Sequence, residues 1–141
     1  LLIADLILAE LGEDPPLYIG GLEMGAVPIA ACVGMRSAEG GRQVRPFYVR
    51  KQAKDHGTRC RIDVDLVPGA RAAVLEDVTT TGGSALEAAE AAREAGLQID
   101  TVLTVLDRRE GAADRLGAAG LRLVPLLTAA DFDLPAAVSS A

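Results

Sequence analysis

The chain has 141 residues, enough for one domain with a single core and too few for two. Half of the residues are apolar and 3% are aromatic, with no Trp, which excludes a disordered chain and leaves Ala, Val, Leu and Ile to build the core. The net charge of −6 argues against general nucleic-acid binding, and no apolar run reaches the roughly 18 residues that a membrane span needs. Cys32 and Cys60 are too few for a disulfide scaffold or a thiolate metal site. Both are expected to be reduced, Cys32 as a small core residue, and the protein is expected in the cytoplasm.

Leu1 to Leu11 is apolar except at Asp5 and Glu10, lacks a basic leader, and reads as the end of a buried helix. Leu17 to Gly20 reads as a short strand, followed by the glycine-rich loop Gly20-Gly21-Leu22-Glu23-Met24-Gly25. A helix is predicted over Ala26 to Met35, with Pro28 tolerable in its first turn. A turn follows at Ala38-Glu39-Gly40-Gly41, then a strand from Val44 to Val49 and a basic loop. Arg61 to Leu66 is predicted as a further strand, ahead of the Pro68-Gly69 turn. The apolar run Arg71 to Leu75 reads as a strand ending at Glu76-Asp77. Ser84 to Ala95 is an alanine-rich helix closed by Gly96. Thr101 to Leu106 has the pattern of a strand buried on both faces, and it ends at Asp107-Arg108-Arg109. A short helix over Ala112 to Ala119 and a buried strand over Leu121 to Leu127 complete the order.

This alternation predicts an α/β fold: a mostly parallel central sheet flanked by helices, in one domain spanning residues 1–141. In such sheets ligands bind at the carboxyl ends of the strands. Gly20-Gly21, Glu76-Asp77 and Asp107-Arg108 are therefore expected along one edge, facing one crevice.

Both lysines and the only histidine fall within Arg50-Lys51-Gln52-Ala53-Lys54-Asp55-His56-Gly57, while every other cation is an arginine. The window from residue 50 to 61 holds Arg50, Lys51, Lys54, Arg59 and Arg61 against one acid, Asp55. In an acidic protein such a patch suggests a local anionic ligand. Lysine is a flexible three-donor ammonium, and histidine adds a donor tunable near neutral pH. One reading is a loop that closes over a polyanion; the other is a solvated basic loop.

Residues 74 to 84 read Val-Leu-Glu-Asp-Val-Thr-Thr-Thr-Gly-Gly-Ser. Gly82 and Gly83 allow a sharp turn, and the N–H groups at the start of the following helix form an anion site. Thr79, Thr80, Thr81 and Ser84 add hydroxyl donors. The glycine spacing matches neither a Walker A loop nor the dinucleotide fingerprint. Two carboxylates at a strand end accept hydrogen bonds from vicinal hydroxyls and repel phosphate, so the layout suits a ribose 5-phosphate. Its hydroxyls would lie on Glu76 and Asp77 and its phosphate against Thr79 to Ser84. A simple helix cap is the alternative.

Val74 to Ser84 resembles the phosphoribosyl-pyrophosphate motif of the type I phosphoribosyltransferases. Arg50-Lys51-x-x-Lys54-x-His56-Gly57 resembles the catalytic loop of the orotate phosphoribosyltransferases. The stretch from Gly20 to Ala30 is similar to that family's pyrophosphate loop, and Asp107-Arg108-Arg109-Glu110 resembles the segment whose arginine contacts orotate. The resemblance runs in order from about Leu17 to Thr128. It implies transfer of phosphoribosyl from 5-phosphoribosyl 1-pyrophosphate (PRPP) to orotate, giving orotidine 5′-phosphate and pyrophosphate in pyrimidine synthesis.

Carried residue by residue, the resemblance implies PRPP binding by Arg50, Lys51, Lys54, His56, Glu76, Asp77, Val78, Thr79, Thr80, Thr81, Gly82, Gly83 and Ser84. Lys51, Lys54, His56 and Asp77 would be catalytic, and Thr80 and Arg108 would meet orotate. The resemblance also implies Mg²⁺ held mainly by substrate oxygens, with no protein ligand assigned, and a homodimer whose mobile loops close over the partner's site. Met24 stands where some members carry a lysine. The family's N-terminal hood is expected to be absent from these residues, leaving a domain incomplete at that end. A phosphoribosyltransferase for another base and a non-catalytic PRPP-sensing regulator share the donor motif and remain as alternatives.

Overall fold

The computed structural model describes residues 1–52, 61–62 and 64–132. In chain order these form α1 (Leu2–Leu11), β1 (Tyr18–Leu22), α2 (Ala26–Glu39), β2 (Arg45–Val49), β3 (Arg71–Thr79), α3 (Gly83–Glu94), β4 (Gln98–Asp107), α4 (Ala112–Ala118) and β5 (Arg122–Thr128). A short 3₁₀ turn, Ala129–Phe132, follows β5. Among the described residues the strands make one five-stranded sheet in the order β2-β1-β3-β4-β5, with every pairing parallel.

The expected α/β architecture is present, with helices on both faces. Ala88 and Ala92 of α3 and Leu116 of α4 share one buried cluster with Phe47, Val74 and Val102. Ile7 of α1 and Ala30 and Val33 of α2 share the other with Ile19, Leu75 and Leu103. The alanines of α3 serve twice: they favour helix and let it lie close on the sheet. Tyr18 is buried, and its hydroxyl accepts a 3.2 Å hydrogen bond from the Val67 N–H. That contact ties the segment before β3 to the sheet.

Several expected boundaries shift, each for a physical reason. Gly20 and Gly21 lie inside β1 rather than in a loop, because Gly20 is paired on both sides, with Phe47 of β2 and Val74 of β3. Helix α2 continues to Glu39 and stops where Gly41 turns to φ 72. Arg61 to Leu66 is not a strand in its described residues; Ile62 makes one isolated antiparallel bridge to Val49. Strand β3 carries the acids within it, since Glu76 pairs with Thr104 and Thr79 with Asp107. Helix α1 is not buried: Ala4 and Ile7 face the core, while Leu2, Ile3 and Leu6 are exposed. Strand β5 is half-buried instead of fully buried, because it pairs only with β4.

Candidate active site

Because the sheet is parallel, the carboxyl ends of β1, β3 and β4 share one edge, as the sequence pattern requires. At the end of β3 a small cavity of about 130 Å³ is lined by Glu76 and by residues 78–85. Its floor is backbone. Gly82 turns the chain at φ 79, in the left-handed region where a side chain is strained, and α3 starts at the next residue. The first N–H groups of that helix have no partner within it, so they face outward as an anion site. The hydroxyl of Thr79 is buried with no hydrogen-bond partner among the described residues. A buried orphan of that kind fits a missing ligand oxygen.

The two acids of β3 differ in environment because side chains alternate along a strand. Glu76 is buried, and burial together with the neighbouring Asp77 charge pushes its carboxyl up to about 7. Asp77 is exposed, and one of its oxygens accepts a 2.8 Å hydrogen bond from the Val78 N–H. The Asp77 carboxylate lies on Gly25 so closely that a Cβ there would meet it at 2.6 Å. Only glycine leaves the carboxylate that place.

The cationic segment leaves the sheet at the end of β2. The Lys51 N–H donates to a Glu23 carboxylate oxygen at 2.9 Å, and the Glu23 N–H donates to the Val49 carbonyl at 2.9 Å. The Arg61 guanidinium donates to the Arg50 carbonyl at 2.7 Å and pairs with Glu87 of α3. Lys51 is exposed. The predicted site residues Lys54 and His56 lie outside the described residues, as does Arg59.

At the end of β4 the Arg108 N–H donates to the Thr79 carbonyl at 2.9 Å, stitching this turn to the loop between β3 and α3. The Arg108 guanidinium pairs with Glu110 at 2.9 Å. Arg109 adopts φ 60, and its N–H is held by the Asp107 carboxylate at 2.9 Å. Helix α4 packs beneath the loop: Leu116 and Ala112 lie against Gly82, and the Arg115 guanidinium lies beside Gly83. A separate cavity of about 420 Å³ opens at the opposite edge, among the starts of β3, β4 and β5, and holds none of the predicted site residues.

No protein-family model matches the chain. The orotate phosphoribosyltransferase of Bradyrhizobium sp. (strain ORS 278) is 46% identical over 135 residues, covering 93% of this chain and 73% of that protein. The chain belongs to the orotate phosphoribosyltransferase family. Solved relatives agree with this family assignment. The Mycobacterium tuberculosis H37Rv orotate phosphoribosyltransferase in complex with Fe(III) dicitrate superposes with a TM-score of 0.84 at 39% identity, covering 94% of this chain and 74% of that one. The same enzyme in complex with PRPP gives 0.79 at 36% identity, covering 94% and 75%.

In this family member the geometry joins Glu76, Asp77, the loop from Val78 to Ser84, Arg108 and the stem at Arg50 and Lys51 along one edge. The sequence reading had no role for Glu23, Arg61, Glu87 or Arg115. Glu23 sits in a motif already singled out, and Arg61 ends the basic window, but their partners are distant in the chain and carry no local pattern.

Proposed function

We propose that this protein transfers the phosphoribosyl group of PRPP to orotate, giving orotidine 5′-phosphate and pyrophosphate in pyrimidine biosynthesis. One observation carries the reading. The turn between β1 and α2 touches both halves of the site, with Gly25 under the Asp77 carboxylate and Glu23 on the Lys51 N–H. Sugar-binding acids and the start of the cationic segment therefore meet one turn, as a reaction that separates a sugar from a diphosphate needs.

In this reading Glu76 and Asp77 accept the ribose hydroxyls. The 5-phosphate sits on the N–H groups and hydroxyls of Thr79 to Ser84, with the Arg115 charge beside Gly83. Breaking the bond at C1 builds positive charge on the sugar and negative charge on the leaving pyrophosphate. The carboxylates of β3 stabilise the first, and Arg50 and Lys51, with Lys54 and His56, stabilise the second. Thr80 and Arg108 meet orotate, whose carboxylate competes with Glu110 for the Arg108 guanidinium.

A divalent metal, Mg²⁺ in this reading, neutralises diphosphate charge when bound. In this reading the ion is held mainly by substrate oxygens, as Mg²⁺ commonly is in phosphate sites. Residues 1–141 form one phosphoribosyltransferase domain, incomplete at its N-terminal end, and the protein works as a homodimer with shared sites, in the cytoplasm, on small molecules and not on nucleic acid or membranes. No helix among the described residues is long and apolar enough to cross a membrane.

The test is direct. Orotate absorbance is followed after adding PRPP and Mg²⁺, beside adenine and hypoxanthine as competing bases. Loss of orotate with release of pyrophosphate is expected. Turnover of another base in its place, or of none, would reject the assignment.

A further inference from the structure

The main chain at Arg50 and Lys51 is gripped from three directions, by groups that bear no role in the proposed reaction. Its N–H side is held by Glu23: the carboxylate accepts from the Lys51 N–H at 2.9 Å. The Glu23 main chain is itself fixed to the end of β2 through the Val49 carbonyl, 2.9 Å away. On the carbonyl side, the Arg61 guanidinium reaches the oxygens of Arg50 at 2.7 Å and Lys51 at 3.4 Å. The same guanidinium pairs with Glu87, one turn into α3. The Arg50 N–H completes the clasp by donating to the Arg61 carbonyl at 2.9 Å.

We propose that Glu23 and Arg61 are positioning residues that fix the cationic stem relative to the sugar, Glu23 through the turn under Asp77 and Arg61 through the helix of the phosphate loop. This proposal rests on the reading given under Proposed function. A flexible ammonium stabilises a leaving diphosphate only from the right distance, and lysine supplies no rigidity of its own. The rigidity comes instead from the backbone that carries it. The Arg61–Arg50 hydrogen bond is part-buried, whereas the Glu23–Lys51 bond lies at the surface, where its fixed main-chain donor and the anchored Glu23 backbone hold its geometry. Because they act on main-chain groups, they hold the stem whatever side chains it bears.

The experiment compares Glu23→Ala, which removes the acceptor, with Glu23→Gln, which keeps an oxygen in its place. Glu23→Ala is expected to lower kcat about tenfold, the scale of a small misplacement of a catalytic group. Its KM for PRPP should stay within about twofold of the wild type, while Glu23→Gln recovers most of the lost rate. Thermal midpoints should be alike in all three proteins. Wild-type kcat in Glu23→Ala would overturn the proposal, as would equal losses in the two variants, which would point to charge and not to the acceptor.

Amide exchange at Lys51, read by NMR, separates this claim from the reaction itself. Protection is expected in the wild type and in Glu23→Gln and should be lost in Glu23→Ala. If the wild type turns over no base, the reaction falls, and the exchange data still judge the anchor. An unprotected Lys51 amide in the wild type would sink it.

Discussion

The two ends of the proposed site are built in opposite ways. At the sugar end everything is local: Glu76 through Ser84 are contiguous, and their geometry follows from a strand, a left-handed turn at Gly82 and the start of α3. At the diphosphate end the cations are contiguous, but their support is not. Arg50 and Lys51 are held by Glu23, which is 28 residues from Lys51, and by Arg61, which is 10 residues from it. A site made of main chain tolerates changes of side chain and fails when its backbone is forced. A site made of side-chain cations on a clasped stem fails when a charge or a clasp is removed.

The sharpest contrast comes from the cation itself. Lys54→Ala is expected to lower kcat by about 10²–10³-fold, the scale of removing one stabilising group from a transition state. PRPP binding, which in the proposed reading draws also on the β3–α3 loop, should weaken far less. Stopped-flow turnover and equilibrium binding separate the two; a variant that loses binding as much as rate would erase the distinction between the ends.

Glu76 tests the sugar end through pH. Its carboxyl is raised from 4.5 to about 7, by burial first and by the Asp77 charge second. The folded protein therefore holds this proton where the unfolded chain releases it. Stability from this group is full below pH 4.5 and declines as the pH rises toward 7. The cost of ionising it in the folded state is about 3 kcal/mol at most. Glu76→Gln should thus be more stable than the wild type at pH 8, with the gap closing below pH 4.5, as urea titrations at the two pH values would report. The ionised form also accepts ribose hydroxyls better, so kcat/KM for PRPP should rise through pH 7 and lose that rise in Glu76→Gln. A pH-independent gap in stability would assign the proton to another group.

These contrasts also explain what was legible in the sequence. The alternation of strands and helices, apart from the expected strand at Arg61 to Leu66, and the turn from β3 into α3 could be read because each depends on local patterns: apolar runs, alanine-rich periodicity and glycine at turns. The length of β3 was misjudged because Glu76 and Asp77 look like a loop, although their pairing with β4 keeps them in the strand. The exposure of α1 and the half-burial of β5 were missed because an apolar run does not say how much of it another element covers. Glu23 and Arg61 were missed because a side chain reaching a distant main-chain group leaves no periodic trace.

Gly25 joins the two ends and should respond at an intermediate level. An added methyl would meet the Asp77 carboxylate at 2.6 Å, and the carboxylate must swing away. Since Asp77 is exposed, folding should suffer little, whereas kcat/KM for PRPP should fall about tenfold, below the roughly 10²-fold that a full 1 Å misplacement of a reacting group can cost. Gly41→Ala is the control, because a Cβ at that exposed turn meets nothing within 4 Å and any cost there is strain at φ 72 alone. Equal kinetics in Gly25→Ala would mean that Asp77 has more room than this contact allows.

The smallest effect is expected at Arg115, and its smallness is informative. Its guanidinium would stand 3.5 Å from a Cβ on Gly83, yet among the described residues it forms no ion pair. It sits beside the helix start proposed to receive the phosphate, but it is exposed to solvent, which screens its field. A contact of this kind contributes a fraction of what the backbone N–H groups supply. Arg115→Ala should raise KM for PRPP about two- to fivefold at low salt, in line with exposed charge pairs, and leave kcat alone. The difference should fade as salt rises to about 0.5 M, where the screening length is only a few ångström. A salt-independent loss would mean that Arg115 touches the phosphate directly, and the sugar end would then depend on a distant side chain just as the diphosphate end does.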